Sequence, residues 1–320
     1  MGVARRDVVP GSLFSQPWWL DAVAPGAWEA IAVEKGGQVL ARLPYVVKNR
    51  LGFTLILMPR LTQTLGPWLA PHEAKYTTQL SREHKLMTSL IEQLPPFDYF
   101  SQRFHYSIAN WLPFYWQGFS QTTRYTYVLE DLSDLNAVWQ EIRKNIKTDV
   151  RKAQKQLVVR SDLGLDVFLD LNAKTFKRQG LALPYSRELV MRLDCACQER
   201  NCRKMFFAQG AQGQVHAAAY IVWDEQSAYY LMGGADPELR SSGATSLVLW
   251  EAIQFAATVT RTFDFEGSMV ESIERFFRAF GARQKPYYQV TKVNSLRLKA
   301  GLAWAAKLAE CLGRRFFLYA

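Results

Sequence analysis

Between Lys204 and Val290 the spacing of apolar residues switches repeatedly between a period of two and a period of about 3.6, and this constrains the fold most. Lys204–Gln209, Val215–Trp223 and Ser227–Met232 read as strands. A helix is predicted from Thr245, a strand over Thr262–Glu266, a helix through Phe280 and a strand ending near Val290. Strands and helices in such alternation bury their apolar faces only as a mixed α/β structure.

The rest of the chain has the same texture. A short helix with Pro17 in its first turn is predicted over Phe14–Val23. Trp28–Val33 and Gln38–Val47 flank Lys35-Gly36-Gly37 as a hairpin, followed by a strand over Leu51–Met58 and a helix over Ser81–Gln93. Pro95 and Pro96 end that helix before a strand over Tyr99–His105. A second unit is predicted from Leu132. It opens with a helix over Trp139–Leu157, striped by Ile142, Ile146, Val150, Ala153 and Leu157, and continues with helices over Val167–Gln179 and Arg187–Arg200. The expected division is 1–131, 132–293 and a closing helix within 294–320 that packs back on both domains.

With 320 residues, 49% of them hydrophobic, the chain can bury two cores of ordinary size. No apolar run reaches the roughly 18 to 20 residues that span a bilayer, and no apolar stretch follows Arg5 and Arg6 as in a secretory signal. A cytoplasmic location is expected. Cys195, Cys197 and Cys202 cluster without a nearby histidine, so reduced thiols are expected there and no metal. A formal charge of +10 favours polyanionic partners, such as nucleic acid, phosphorylated cosubstrates or an anionic membrane surface touched peripherally, without choosing among them.

Several residues carry chemistry. Tyr230, Met232 and Gly233 lead into a small-residue loop, and Arg240, Gly243, Ala244 and Thr245 lead into the next helix. Such a loop at a helix start either cradles a phosphate or is small for structural reasons. On a strand, Asp264 and Glu266 would share one face opposite Phe263 and Phe265, about 7 Å apart. They are either an acid–base pair or partners in ion pairs. Ser268-Met269-Val270-Glu271 is a capping box, which makes Ser268 a helix cap. The helix after it buries Val270, Ile273, Phe277 and Phe280, and pairs Glu271 with Arg275 and Glu274 with Arg278. Lys144, Lys147, Arg151 and Lys155 fall on one helix face, suited to phosphate or simply to water. His216 reads as a core histidine.

The run FDFEGSMVESIERFFRAFGA, with YYLMGGADPELRSSGATSLVLWEAI before it and NIKTDVRKA upstream, resembles the Fem-like and BioF2-type acetyltransferases of the GNAT superfamily. The resemblance implies tandem GNAT-like domains, the second catalytic. It implies an acyltransferase that moves an acyl group from an acyl-CoA-type thioester onto an amine of a cell-envelope or polysaccharide precursor. Aminoacyl-tRNA is the alternative donor, acting on a peptidoglycan precursor, and tRNA then a partner. A non-catalytic nucleotide- or RNA-binding relic is the other reading. The family's donor loop maps onto Arg240, Gly243 and Ala244, with Thr245 at the last small position. Asp264 and Glu266 are the candidate catalytic residues, and Tyr230, Met232, Gly233 and the loop would hold the donor. Tyr287, Tyr288, Arg275 and Arg278 are candidates for the acceptor. Phe277 stands where GNAT enzymes carry a tyrosine and Fem-like ones a lysine.

Overall fold

The Gly36-Gly37 turn folds as predicted in the computed structural model, which describes residues 11–267 and 269–301. Both glycines take positive φ, 59° and 77°, as a two-residue hairpin turn requires. Around them β1 (Trp28–Lys35) and β2 (Gln38–Arg50) pair antiparallel. β3 (Phe53–Leu57) follows antiparallel, and β4 (Trp68–Leu69) makes a short pairing with β2. β5 (Tyr99–Arg103) runs parallel to β3 and antiparallel to residues 289–293. With α1 (Pro17–Val23), α2 (Tyr76–Glu92) and α3 (Leu112–Trp116), these strands make a first unit: the described residues through Arg124 together with those from Tyr287. Its core joins Leu43 and Tyr45 to Met87, Leu90, Phe100, Phe104 and Phe114.

The second unit spans Tyr125–Pro286. It begins inside β6 (Ser120–Leu129) and continues through α4 (Leu135–Glu141), α5 (Lys144–Gln154), β7 (Leu157–Arg160), α6 (Leu165–Arg178) and α7 (Arg187–Glu199). Then come β8 (Arg203–Gly210), β9 (Val215–Trp223), β10 (Ser227–Ala235), a 3₁₀ turn (Pro237–Ser242), α8 (Ala244–Ala256), β11 (Thr262–Asp264), α9 (Glu271–Arg278) and the start of β12 (Arg283–Val293). Strands β7 to β10 pair antiparallel in chain order, β11 lies parallel to β10, and β6 closes antiparallel on β11.

Sequence explains the layering. α8 is apolar around nearly its whole circumference and so must be covered on all sides. It lies on one sheet face, over Ala217, Ala219, Ile221, Phe263 and Phe265, with Ile146 and Val150 of α5 in the same cluster. The alanines of β9 let the helix sit close. On the opposite face, Phe168 of α6 meets Tyr220 with ring centroids 5.6 Å apart, and the Tyr220 hydroxyl donates to Asp194 of α7 at 2.8 Å. His216 is buried as expected, yet among the described residues neither ring nitrogen makes a hydrogen bond.

Several predicted elements fold differently. The helix expected over Trp139–Leu157 is two helices, because Ile142 and Arg143 are extended (ψ 134° and 149°). Ile142 is buried, and the Arg143 amide donates to the Ala279 carbonyl at 2.9 Å, so tertiary contacts outweigh local helix preference. Leu157 opens β7. The expected helix over Ser81–Gln93 starts earlier, at Tyr76. Residues 296–301 are helical, as the closing helix requires, and the remainder of that segment, like Ser268, lies outside the described residues. Among the described residues no helix is long and apolar enough to cross a membrane.

Candidate active site

β10 and β11 pair only over Ser227–Tyr229 and Thr262–Asp264. Beyond those residues β10 runs on to Ala235 while β11 stops, so the strands part and leave one edge of β10 open. A bulge between Tyr230 and Met232 bends β10 where the pairing ends. The register with β9 decides what the open edge presents. The Asp236 amide bonds the His216 carbonyl, so by alternation Gly233 and Ala235 turn their amides and carbonyls away from β9.

Two side chains of α6 meet that edge. Asn172 donates to the Gly233 carbonyl at 2.7 Å and accepts from the Tyr185 hydroxyl at 2.9 Å, while Thr175 accepts from the Ala235 amide at 2.9 Å. The close approach depends on Gly234, where an added Cβ would stand 2.6 Å from the Asn172 backbone nitrogen. Sequence reasoning missed Asn172, Thr175 and Tyr185. The available signal was an asparagine inside the helix, directly after Leu171 on the side that Phe168 and Leu171 bury. Asn172→Ala leaves the Gly233 carbonyl and the Tyr185 hydroxyl without these partners, and should cost about 2–3 kcal/mol in chemical denaturation.

Asp264 ends β11 and is 4% exposed. Its Oδ1 accepts from Thr126 Oγ1 and, at 2.7 Å, from the Glu266 amide, while Oδ2 takes no hydrogen bond among the described residues. Burial raises its pKa to about 6, partly offset by these two bonds. Such a carboxylate is ionised at neutral pH yet able to accept a proton. Glu266 does not share its strand face. The strand ends at Asp264, and Glu266 takes φ 57° with Gly267 at 59°, the amide turning back onto Asp264. A non-glycine residue held in the left-handed region stores strain, and Gly267 is obligatory because a side chain there would overlap the Tyr125 carbonyl.

The parallel register puts Asp264 beside Tyr229 and Phe263 beside Ala228. Side chains alternate, so Asp264 projects from one face of the sheet. Tyr230 projects from the other, with Phe263, Phe265 and Phe277. Phe265 stacks on Phe277 with centroids 5.1 Å apart, and Tyr230 meets Phe277 edge-on at 6.0 Å. Met232 is buried next to the bulge.

The loop beyond β10 is a 3₁₀ turn in which Asp236 caps Glu238 and pairs with Lys174 at 2.6 Å. Arg240 is exposed, Gly243 is left-handed at φ 78°, Ala244 is buried at the start of α8, and Thr245 is half-buried. A side chain at Gly243 would overlap the Asp149 carbonyl of α5. Lys152 of the same helix donates to the Ser241 carbonyl at 2.7 Å, so the basic helix abuts this loop. Lys144, Arg151 and Lys155 are exposed, whereas Lys147 is half-buried and donates to the Gln140 carbonyl at 2.9 Å. Lys147 and Arg151 both lie over Trp139, at 6.0 and 5.8 Å.

Arg275 pairs with Glu271 at 2.7 Å and Arg278 with Glu274 at 2.6 Å on the outer side of α9, as their spacing predicts. Tyr287 and Tyr288 belong to the first unit, Tyr287 buried and Tyr288 packed against Trp111. In α9 the expected buried stripe is only half buried: Phe277 and Phe280 are inside, but Val270 is 50% and Ile273 37% exposed.

Residues 140–278 match the family model described as acetyltransferase (GNAT) domain. No curated protein matches the chain in sequence. Among solved structures it is similar to FemX at 14% identity and a TM-score of 0.62, over 87% of this chain and 92% of that one. It is also similar to the C-terminal domain of a putative lysylphosphatidylglycerol synthetase from Agrobacterium fabrum, at 11% identity and a TM-score of 0.53, over 89% and 88% of the two chains. L-PGS from Bacillus licheniformis gives 10% identity and a TM-score of 0.50, over 87% and 88%. The second unit thus carries a match to an acetyltransferase (GNAT) domain over residues 140–278, within a mixed α/β chain that shares the fold of FemX.

Proposed function

We propose that the protein transfers an acyl group from an acyl-CoA-type thioester to an amine of a cell-envelope or polysaccharide precursor, in the cytoplasm, at the point where β10 and β11 part. What supports this most is the buried Asp264 at the mouth of that gap, held near pKa 6 with Oδ2 left over. The attacking amine must lose a proton as the C–N bond forms, and a carboxylate of this pKa accepts it at neutral pH. The Gly233 amide, turned to the open edge, is a donor for the oxyanion of the tetrahedral intermediate. Arg240, Gly243, Ala244 and Thr245 are the residues for the donor's phosphates. Since α6 already takes the Gly233 carbonyl and the Ala235 amide, the donor's arm pairs with β10 only between Tyr230 and Gly233. An envelope acceptor is in keeping with the fold shared with a lysylphosphatidylglycerol synthetase domain, named for a lipid product. The test is thiol release from acetyl-CoA with amino-sugar acceptors; folded protein that releases no thiol with any of them refutes the proposal.

The contact of α5 with the donor loop through Lys152 favours aminoacyl-tRNA as the second reading, because the same helix also exposes Lys144, Arg151 and Lys155. Replacing Lys144, Arg151 and Lys155 by glutamate should then weaken binding to charged tRNA and flatten its salt dependence by about three phosphate contacts. An unchanged salt slope removes tRNA from the mechanism.

A further inference from the structure

Acyl transfer leaves one proton without a donor. As the C–N bond forms and the C–S bond breaks, the sulfur departs with the bonding electron pair, and an alkyl thiolate is a poor leaving group unless protonated. Phe277, at the position where the family resemblance led us to expect a phenol or an ammonium, has no proton to give. The structure brings another phenol to that place. The Tyr230 ring meets the Phe277 ring edge-on, with centroids 6.0 Å apart and planes at 89°. Tyr230 stands on β10 just before the bulge, at the end of the paired segment, so its side chain flanks the gap between the strands.

Three further observations set the hydroxyl apart from a structural one. It lies over the backbone of Gly233, and a side chain there would collide with it, so the small residue keeps space for the phenol at the open edge. Among the described residues it has no hydrogen-bond partner, whereas Tyr127, Tyr185, Tyr220 and Tyr229 each have one. It also projects from the sheet face opposite Asp264, so acid and base flank the reacting carbon from opposite sides.

We propose that Tyr230 is the proton donor to the leaving group, a role that rests on the acyl-transfer reading above. The acceptor nitrogen bonds to the acyl carbon, its proton passes to Asp264, and the C–S bond breaks as the Tyr230 hydroxyl proton passes to sulfur. The phenolate then regains a proton from water and Asp264 releases one, which balances the cycle. Burial pushes the phenol's ionisation well above its ordinary value, so it stays protonated at neutral pH.

The test compares two leaving groups, using hydroxylamine as the amine and thiol release as the signal. Acetyl-CoA expels an alkyl thiolate that needs a proton, while phenyl thioacetate expels an aryl thiolate that does not. Tyr230→Phe should slow release from acetyl-CoA by roughly 10²-fold and release from phenyl thioacetate by no more than about threefold. The double variant Tyr230→Phe/Phe277→Tyr, which returns a phenol to the same aromatic cluster, should recover about tenfold on acetyl-CoA alone. Equal losses on both probes, or none on either, overturn the role of Tyr230 and leave the acyl-transfer reading standing. If the unaltered protein releases thiol from neither probe, the thioester reading fails and this role fails with it.

Discussion

Asp264→Asn should slow acyl transfer on the order of 10³-fold while making the protein more stable at pH 8. The amide keeps an oxygen for Thr126 and the Glu266 amide, so the turn at the end of β11 survives. What it loses is a charge in a buried site. Raising a carboxyl from 3.8 to about 6 on folding means that the ionised form is disfavoured in the native state. That cost is absent below the unfolded value, grows as pH rises toward 6 and is complete above it. At roughly two pH units it is worth about 3 kcal/mol, of which the variant should recover 1–3 kcal/mol. Denaturation at pH 4 and pH 8 checks the sign: the variant's advantage should appear at pH 8 and vanish at pH 4. The same ionisation predicts that kcat/KM of the native enzyme rises through about pH 6. An advantage that is independent of pH would mean that Asp264 is not buried as a charge.

Gly234→Ala should strongly destabilise the second unit although it adds a single methyl group. The new Cβ would stand 2.6 Å from the Asn172 nitrogen and 2.7 Å from the Leu171 carbonyl carbon, both backbone atoms of α6 that cannot rotate aside. Either α6 lifts or β10 bends, and the Asn172 and Thr175 bonds to the open edge go with it. Overpacking of this kind costs about 3 kcal/mol, or roughly 6–12 °C in Tm for a unit of this size. Gly164→Ala is the control, since that glycine has ordinary φ and nothing within 4 Å of the added atom. If both variants melt alike, the packing of α6 on β10 does not limit stability.

Much of the fold was legible because period and turn chemistry are local. The Gly36-Gly37 hairpin, the strands β8 and β9, and the outward pairs on α9 follow from residues a few positions apart. Failures came where a distant partner took over. The break at Ile142-Arg143 depends on the Ala279 carbonyl, more than a hundred residues away. The alternation of Asp264 and Glu266 assumed a strand that outlasts its pairing, whereas Asp264 itself captures the Glu266 amide and bends the chain. Val270 and Ile273 have the spacing of core residues, but spacing cannot tell how far along a helix its cover extends.

The linear chain determined the materials of the site: a glycine-bearing strand, an acidic strand end, a helix start with small residues and a phenylalanine in place of a proton donor. All of these follow from residue type and short-range spacing. Folding alone decided their arrangement. That Asp264 and Tyr230 leave opposite faces of one opening depends on the register of β10 with β11 and β9. That α6 takes two groups of the open edge depends on a close approach permitted by Gly234. Register and close approach are relations between segments far apart in the chain, fixed by the packing of the whole unit, and no local pattern of residues encodes them.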